Sequence, residues 1–472
     1  MFRAFLCCRS IALLLLAGSA VALEPPRPFS AAEIATATTL RERALKDERA
    51  YALVAGLTGE IGARLAGSPN DLKAREWMVA RYRALGFDRV WTEPVSYPVW
   101  ERGAASLLVT STAEPVRLEI AALGGSMGTK AGGVRAAVVQ LASLEALNAA
   151  TPEQLDGRIV FVDQRMDRAR DGKGYGAISR IRVTGASIAA TKGASAFLLR
   201  SAGSDQGSGS PHTGMMRYEN TPTRIPAAAL SNAAADRLGE LIAQAGSTPV
   251  ALKLELAART RGEPYTGANV IAEIRGRELP DEVVVIGGHL DSWDLGTGAI
   301  DDGAGIAITA LAGALIGELE TAPRRSIRVI AWANEEQGIY GGKAYAAART
   351  ADDTLAQQAI GAESDFGAGR IYALSSKVSA AALPAIAQMV EVLAPLGISQ
   401  GENTASGGAD VGDLAKAGVP VASLNQDGTY YFDWHHTRED TLDKIDPAAL
   451  KQNVAAWAVF TYLAAEYGPG FR

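Results

Sequence analysis

Cysteine is almost absent from this 472-residue sequence, and no segment carries a cluster of basic residues. The only two cysteines, Cys7 and Cys8, precede the first apolar run, so we expect neither disulfides nor a thiolate nucleophile in the mature chain. Lysine plus arginine number 46 against 52 acidic residues, which gives a net charge of −6. This mild acidity argues against nucleic acid as a partner.

The N-terminal segment also lacks an apolar run long enough to cross a membrane, since a span needs about 20 apolar residues. Arg3 and Arg9 precede the short apolar run 11–17, and Ala20–Ala22 has the small residues of a cleavage site. These features favour a cleaved signal peptide over residues 1–22 rather than a membrane anchor. We therefore expect a secreted or periplasmic protein with no membrane attachment after cleavage.

Histidine is scarce as well, yet three of the four histidines lie in segments rich in carboxylates. Apolar runs at 282–287, 326–332 and 359–363 are typical of buried parallel strands, and acidic or imidazole side chains follow each run. Open α/β sheets bind ligands at the carboxyl ends of such strands. We expect one rim of the sheet to carry the following side chains: His289, Asp301, Glu335, Glu336, Asp365 and His436.

Two histidines and three carboxylates suit a pair of zinc ions that share one ligand and hold the attacking water between them. The predicted ligands are His289 and Asp365 for one ion, Glu336 and His436 for the other, and Asp301 as the bridge. The sequence therefore predicts a metal site with two Zn²⁺ ions per chain.

Glu335 and Asp291 are the predicted catalytic residues. Glu335 adjoins a ligand without being needed as one, so we expect it to be the general base that activates the water and returns the proton to the leaving amine. Asp291 follows His289 by two residues and is expected to accept the far N–H of that imidazole, which fixes its tautomer. Asp302 is expected only to shape the loop.

The segments that carry these residues resemble those of the co-catalytic dizinc aminopeptidases. The resemblance rests on GHLDSWDLGTGAIDDGAG, RSIRVIAWANEEQG, ESDFG and YFDWHHTREDT, and it extends over nearly the whole mature chain. It implies a metallo-exopeptidase of the aminopeptidase, dipeptidase or carboxypeptidase type, which acts on dipeptides or short peptides with a free N-terminus. It also implies a cis peptide bond between Asp301 and Asp302, and it selects His436 over His435 as the ligand.

The chain length predicts two domains. Strands and helices alternate over 23–120 and 257–472, which predicts an α/β catalytic domain, an α/β/α sandwich with a mixed, mostly parallel sheet. Residues 121–256 instead contain short strands between glycine-rich turns. The resemblance implies that this segment is an inserted, mostly β, protease-associated domain.

Several residues near these motifs have more than one interpretation. His212 follows a glycine- and serine-rich loop, and it is either hydrogen-bonded locally or leans over the active site to bind substrate, as the SPHTG segment of the resemblance implies. The segment 406–410 departs from the turn of the relatives and borders the substrate, which makes Asp410 a candidate substrate contact. Asp440 either orients His436 or caps the turn before Leu442.

Two other functions are weighed against the peptidase. A glutaminyl-cyclase-like acyltransferase of the same fold works with one zinc, so five candidate ligands argue against it. A receptor-like protein without catalysis would be expected to lack ligands or Glu335, and none is missing. The sequence leaves open the side-chain preference, the recognised substrate end, a propeptide, the native metal and the oligomeric state, a homodimer included.

Overall fold

The computed structural model describes Met1 and residues 28–472 except positions 206, 208 and 222. Apart from Met1, the predicted signal peptide lies outside the described residues. In the described part the helices are, in chain order, α1 (Ala31–Ala44), α2 (Arg49–Gly56), α3 (Pro69–Ala84), α4 (Leu144–Ala149), α5 (Pro152–Leu155), α6 (Tyr175–Thr191), α7 (Asn232–Ala245), α8 (Ala304–Gly317), α9 (Tyr340–Ala351), α10 (Leu383–Leu393), α11 (Gly412–Lys416), α12 (Tyr431–Trp434) and α13 (Pro447–Glu466). Short π or 3-10 turns occupy Leu57–Ile61, Ala299–Gly303, Leu355–Gln357, Ala380–Ala382, Ala394–Leu396 and Leu442–Lys444.

The strands of the described residues form two large sheets and a two-stranded pair. They are β1 (Arg89–Tyr97), β2 (Trp100–Glu101), β3 (Ala105–Val109), β4 (Val116–Leu118), β5 (Ile120–Ala122), β6 (Val134–Leu141), β7 (Ile159–Val162), β8 (Ala196–Arg200), β9 (Ala227–Leu230), β10 (Ala251–Leu256), β11 (Arg259–Thr260), β12 (Tyr265–Ile274), β13 (Leu279–His289), β14 (Arg325–Trp332), β15 (Gln358–Glu363), β16 (Ile371–Lys377), β17 (Ser399–Gln400) and β18 (Val421–Gln426).

The first sheet has the order β1-β12-β14-β13-β15-β18-β16-β17. The central strands β14, β13, β15 and β18 are parallel to one another, whereas β1, β12 and β16 pair antiparallel with their neighbours toward the two edges. The prediction of an α/β fold with a mixed, mostly parallel sheet is therefore confirmed.

Side chains of β13 alternate between two apolar layers, as the period of a strand requires. Val284 and Ile286 point into a core that includes α8 and α13. Val283 and Val285 point to the opposite face, where residues of α9 and α11 cover them. Helices on both faces make this part of the chain an α/β/α sandwich.

One helical stretch in the described part, Ala299–Gly317, is apolar and long enough to cross a membrane by length and composition. It is buried except at Gly317, and it packs against α2, α13 and strands β13 and β14 of the first sheet. A helix that is apolar on every side is expected in the core of a large soluble domain. The structure accordingly places it as the central helix of the sandwich.

The second sheet has the order β4-β3-β10-β6-β7-β8-β9-β5 and begins at Ala105 rather than at residue 121. The expectation that this region is mostly β is wrong, because α4 to α7 supply about as many residues as its strands do. The longest of these helices, α6, packs against β8. Its buried residues recur at intervals of three and four positions, from Ile178 and Ile181 to Ala186 and Ala189, as the packed face of a helix requires.

Candidate active site

The segments that carry the predicted site leave the first sheet at one edge. His289 is the last residue of β13 and lies in register with Trp332, the last residue of β14. Glu363 ends β15 and pairs with Gly287 of β13. Because these strands are parallel, the residues that follow them lie on the same rim, where α/β sheets bind ligands.

Asp301 lies between two of the histidines. Its Oδ1 atom is 2.9 Å from Nε2 of His289, and its Oδ2 atom is 3.2 Å from Nε2 of His436. The peptide bond from Asp301 to Asp302 is cis, so the bond that the resemblance implied is confirmed. One carboxylate therefore joins the end of β13 to the distant segment after β18.

The remaining candidate ligands form two groups around Asp301. Oδ1 of Asp365 lies 3.5 Å from Nε2 of His289, and Oε2 of Glu336 lies 3.0 Å from Nε2 of His436. His289 and Asp365 thus lie on one side of Asp301, and Glu336 and His436 lie on the other. All five side chains converge.

The electrostatics of this cluster suit a bound cation. Two buried oxygens, Oδ2 of Asp301 and Oε1 of Glu336, have no hydrogen-bond partner. Burial and the adjacent Asp301 raise the pKa of Glu336 well above its usual range. Burial opposes ionisation of Asp301, yet its close contacts with the imidazoles of His289 and His436 hold its pKa well below the usual value. Imidazole and carboxylate are ligands that zinc accepts, and a divalent ion would offset the buried negative charge.

His435 also lies close to Asp301, with 3.4 Å between its Nε2 atom and Oδ2 of the carboxylate. Its ring stacks on that of His436 at 3.5 Å between centroids, and its Nδ1 atom has no hydrogen-bond partner. Burial and the neighbouring imidazole lower the pKa of His435 well below its usual value. Only His436 is also within 3.0 Å of Glu336, so the geometry favours it as the ligand.

The half-buried side chain of Glu335 lies beside this cluster. Burial raises the pKa of Glu335 well above its usual range, and the nearby carboxylates of Asp365 and Glu336 raise it further. Oδ1 of Asp291 accepts a hydrogen bond from the backbone amide of Glu335 at 3.0 Å, and Oδ2 accepts one from that of Glu336 at 3.4 Å. Asp291 therefore holds the backbone of the turn that carries both glutamates.

The expected bond from the imidazole of His289 to the Asp291 carboxylate is replaced by another contact. Nδ1 of His289 lies 3.0 Å from the backbone oxygen of Asp291 and 3.6 Å from its carboxylate. The carboxylate points instead toward the amides that follow β14, because those N–H groups are otherwise unpaired in the turn. The tautomer of His289 is thus set by the backbone.

Asp302 and Asp440 shape the backbone around Asp301. Asp302 accepts hydrogen bonds from the amides of His289 at 2.9 Å and Gly305 at 3.0 Å, as expected of a residue that shapes the loop. Asp440 accepts from the amides of Ala299 and Ile300 at 2.7 Å each, and from that of Asp301 at 3.3 Å. Both expectations for Asp440, a partner of His436 or a cap before Leu442, are therefore wrong. The carbonyl oxygen of Thr213 is instead 3.2 Å from Nδ1 of His436.

A serine nucleophile is excluded by the surroundings of Ser126. The residues Gly124–Gly128 have the spacing Gly-x-Ser-x-Gly of a nucleophile elbow. The Ser126 hydroxyl is fully buried, donates to the carbonyl of Met127 at 2.9 Å and accepts from the amide of Ala227 at 2.8 Å. With neither an exposed hydroxyl nor a histidine partner, this serine is structural.

Comparison with known proteins identifies the family. The model of peptidase family M28 matches residues 269–461. Carboxypeptidase Q from Bos taurus is 34% identical over 420 residues, which cover 89% of this chain and 85% of the relative. A crystal structure of a peptidase M28 precursor from Shewanella amazonensis SB2B is 46% identical with a TM-score of 0.90, covering 93% of this chain and 98% of that chain.

The chain belongs to peptidase family M28. The predicted metallo-exopeptidase activity and the predicted resemblance are thereby confirmed. BSAP, a zinc aminopeptidase from Bacillus subtilis, has the same fold, with a TM-score of 0.63, 20% identity and coverage of 90% of this chain and 95% of that chain.

Arg64 supports the loop between His289 and Asp301 of this M28 peptidase, and sequence patterns gave no indication of this role. Its side chain is fully buried and donates to the carbonyl oxygens of Leu290, Thr297 at 2.7 Å and Gly298 at 2.9 Å. Its backbone amide donates to the hydroxyl of Ser292 at 3.1 Å. Arg64 thus closes the loop that has His289 at one end and Asp301 at the other. No motif surrounds it, so only the fold reveals it.

His212 and Asp410, the two candidate substrate contacts, are both buried. Nδ1 of His212 is 2.7 Å from the carbonyl oxygen of His435, and Nε2 is 2.7 Å from Oδ1 of Asp205. Local hydrogen bonding, one of the two interpretations of His212, describes these contacts. Asp410 is fully buried, and its Oδ1 accepts from the amide of Gly342 at 2.7 Å. Burial raises the pKa of Asp410 to about 7.

Proposed function

We propose that this peptidase binds two zinc ions and hydrolyses the peptide bonds of dipeptides or short peptides with a free N-terminus. The observation that carries the proposal is the division of five donor side chains into two groups around one shared carboxylate. The proposed ligands are His289 and Asp365 for one ion, Glu336 and His436 for the other, and Asp301 for both. When bound, such ions polarise the scissile carbonyl and make water more acidic.

Glu335 is proposed to act as the general base and acid. It lies beside Glu336 but outside both donor groups, so its carboxylate is free to take the proton from the attacking water. Its raised pKa, caused by burial and neighbouring carboxylates, also suits it to return that proton to the leaving amine. Asp291 supports this role through its hydrogen bond to the Glu335 amide, and it acts as a positioning residue.

The substrate assignment is supported by the names of the relatives. One relative is called a carboxypeptidase and a fold neighbour is called an aminopeptidase. A dipeptide offers its single peptide bond to an enzyme of either type. The cyclase-like and receptor-like alternatives are not favoured, because all five candidate ligands and Glu335 are present and assembled.

We further propose that the region of the second sheet, which begins at Ala105 and includes the predicted segment 121–256, is a protease-associated domain. We also propose that residues 1–22 direct export to the periplasm or outside the cell. Fractionation of cells that express the full chain, with N-terminal sequencing of the product, tests the export proposal. A product that keeps residues 1–22 and stays with the cytoplasm would refute it.

The function is tested by metal analysis together with a dipeptide panel. We expect two zinc ions per chain by plasma mass spectrometry, and turnover that a chelator abolishes and added zinc restores. Peptides with an acetylated N-terminus form the second arm of the panel and should not be cleaved. One ion per chain with full activity would refute the two-ion site, and cleavage of acetylated peptides would refute recognition of a free N-terminus.

A further inference from the structure

A cavity of about 370 Å³ lies beside Asp365. Its volume is within the range of about 300–1,000 Å³ of small-ligand sites. Hydroxyl and amide side chains, among them Ser406, Ser423 and Asn425, line part of its wall, and the acids Asp171, Glu363 and Asp365 line the remainder of its polar surface. No lysine, arginine or histidine is among its described lining residues. The cavity therefore opens next to the proposed metal site and has acidic walls.

Asp171 reaches this cavity from the region of the second sheet. The neighbouring Gly172 has φ of +64°, and a Cβ atom there would come within 2.8 Å of the rings of Phe366 and Phe432. The carbonyl of Arg170 accepts a hydrogen bond from the amide of Gly428 at 2.8 Å. The loop is thus packed against the catalytic sheet, and its exposed carboxylate is held at the rim of the cavity.

The basic side chain of Arg170, the residue before Asp171, is already engaged. The guanidinium of Arg170 pairs with Asp427 at 3.1 Å and lies over the ring of Tyr372 at 3.7 Å from its centroid. Asp171 has no ion pair with a described basic residue. Its negative charge is therefore available to a ligand in the cavity.

Glu363 supplies the second acidic group, deeper in the wall. It is 7% exposed, and its Oε2 atom accepts a hydrogen bond from the amide of Asp410 at 2.7 Å. Its Oε1 atom has no hydrogen-bond partner. Buried polar atoms in native proteins are nearly always paired. This oxygen is closed to solvent, so it leaves an unpaired acidic oxygen behind the cavity wall, and its partial negative charge favours a cation in the cavity.

We propose that this cavity receives a side chain of the peptide substrate, and that Asp171 at the rim and Glu363 in the wall select a basic side chain, lysine or arginine. Asp365 does not contribute to this selection, because the proposed function assigns its charge to a zinc ion. This inference rests on the proposed function and adds the substrate class.

The test compares matched dipeptides that differ only in the side-chain ammonium. The pairs are Lys-Ala with norleucyl-Ala, and Ala-Lys with Ala-norleucine. We expect a higher kcat/KM for the lysine member of one pair. Asp171→Asn should lower that preference about two- to fivefold, as for a partly exposed ion pair. Glu363→Gln should lower the preference by up to about tenfold, because this carboxyl group is itself buried beside the cavity.

Asp167→Asn is the matched control. It removes the same charge from an exposed position on the same loop, and Asp167 does not line the cavity. We expect it to leave the preference for lysine unchanged. Zinc content is measured for every variant, so that loss of metal in Glu363→Gln is distinguished from loss of selectivity. If Glu363→Gln loses zinc, Asp171→Asn still tests the proposal, because Asp171 lies at the rim of the cavity and is not a proposed ligand.

Three results would overturn the proposal. The wild-type enzyme could favour norleucine, or Asp171→Asn could leave the preference for lysine unchanged. Glu363→Gln with full zinc content could also lower kcat/KM equally for the lysine and norleucine members of a pair. The last result would mean that the cavity binds the α-ammonium group. The same pairs are also titrated by calorimetry into zinc-loaded Glu335→Gln, where lysine should bind more tightly than norleucine. Absence of turnover would therefore count against the proposed function. The ratio of the binding constants for the lysine and norleucine dipeptides tests the proposed selectivity of the cavity independently of turnover.

Discussion

Oδ1 of Asp291 accepts a hydrogen bond from the backbone amide of Glu335 at 3.0 Å. The contact ties the loop after β13 to the turn after β14, and those segments carry different halves of the proposed metal site. Glu335 and Glu336 are therefore held by one carboxylate, although the proposed function gives them different roles.

Substitution of Glu335 should separate catalysis from metal binding. Glu335→Gln removes no proposed ligand, so we expect both zinc ions to remain. General acid–base catalysis contributes about 10²–10⁴-fold, so kcat should fall by about that factor while KM changes little. Glu336→Gln is the comparison and should lower zinc content. Equal zinc loss in the two variants, measured by plasma mass spectrometry, would show that the base assignment is wrong.

The two adjacent histidines should differ in their effect on metal binding. His436 lies 3.0 Å from Glu336 as well as 3.2 Å from Asp301, whereas His435 lies within ion-pair distance of Asp301 alone among the described carboxylates. We expect His436→Ala to lose one zinc ion and most activity. His435→Ala should retain both ions, because the proposed ligand set stays complete. Loss of an ion in His435→Ala alone would assign that residue as the ligand instead.

Arg64 should stabilise the loop between His289 and Asp301. Arg64→Met leaves buried carbonyl oxygens without a donor, and each such oxygen costs about 1–3 kcal/mol, so we expect at least about 3 kcal/mol lower stability. Arg64→Lys should recover only part of the loss, because an ammonium group cannot reproduce the planar fork of donors.

The exposed Arg83 offers a control for Arg64. Arg83→Met should change stability by no more than about 0.5 kcal/mol. Denaturant unfolding of the metal-free proteins provides the measurement, and zinc titration shows whether the loop still binds the ions. An Arg64→Met variant as stable as Arg83→Met would contradict the role of Arg64.

Asp440 should make the stability of the metal-free enzyme depend on pH. Burial and the nearby Asp301 raise the pKa of Asp440 to about 7. The folded state therefore keeps this proton while the unfolded state loses it near pH 4, so the contribution to stability falls as the pH rises from about 4 to about 7. Asp440→Asn cannot titrate, and its Tm relative to wild type should rise over that window. A constant difference between the two Tm values would refute this expectation.

Much of the catalytic sheet and of the donor set could be predicted from the sequence alone. The apolar runs before His289 and Glu335 have the composition of buried parallel strands, and parallel strands end at a common rim. Sequence order and local periodicity therefore determined which side chains meet. The cis bond at Asp301 and the choice of His436 required the resemblance to a family, since no local pattern specifies either.

Other parts of the site were decided only by the tertiary structure. Arg64 and Asp171 come from segments that carry no motif, and each reaches the site because two distant elements pack together. Thr213 lies in the SPHTG segment, but there the sequence drew attention to His212 instead. The carboxylates of Asp291 and Asp440 likewise turn toward backbone amides that packing leaves unpaired, rather than toward the histidines beside them in sequence. Local sequence determined the strands and the candidate metal-binding side chains, whereas the hydrogen-bond requirements of buried loops determined what holds those side chains in place.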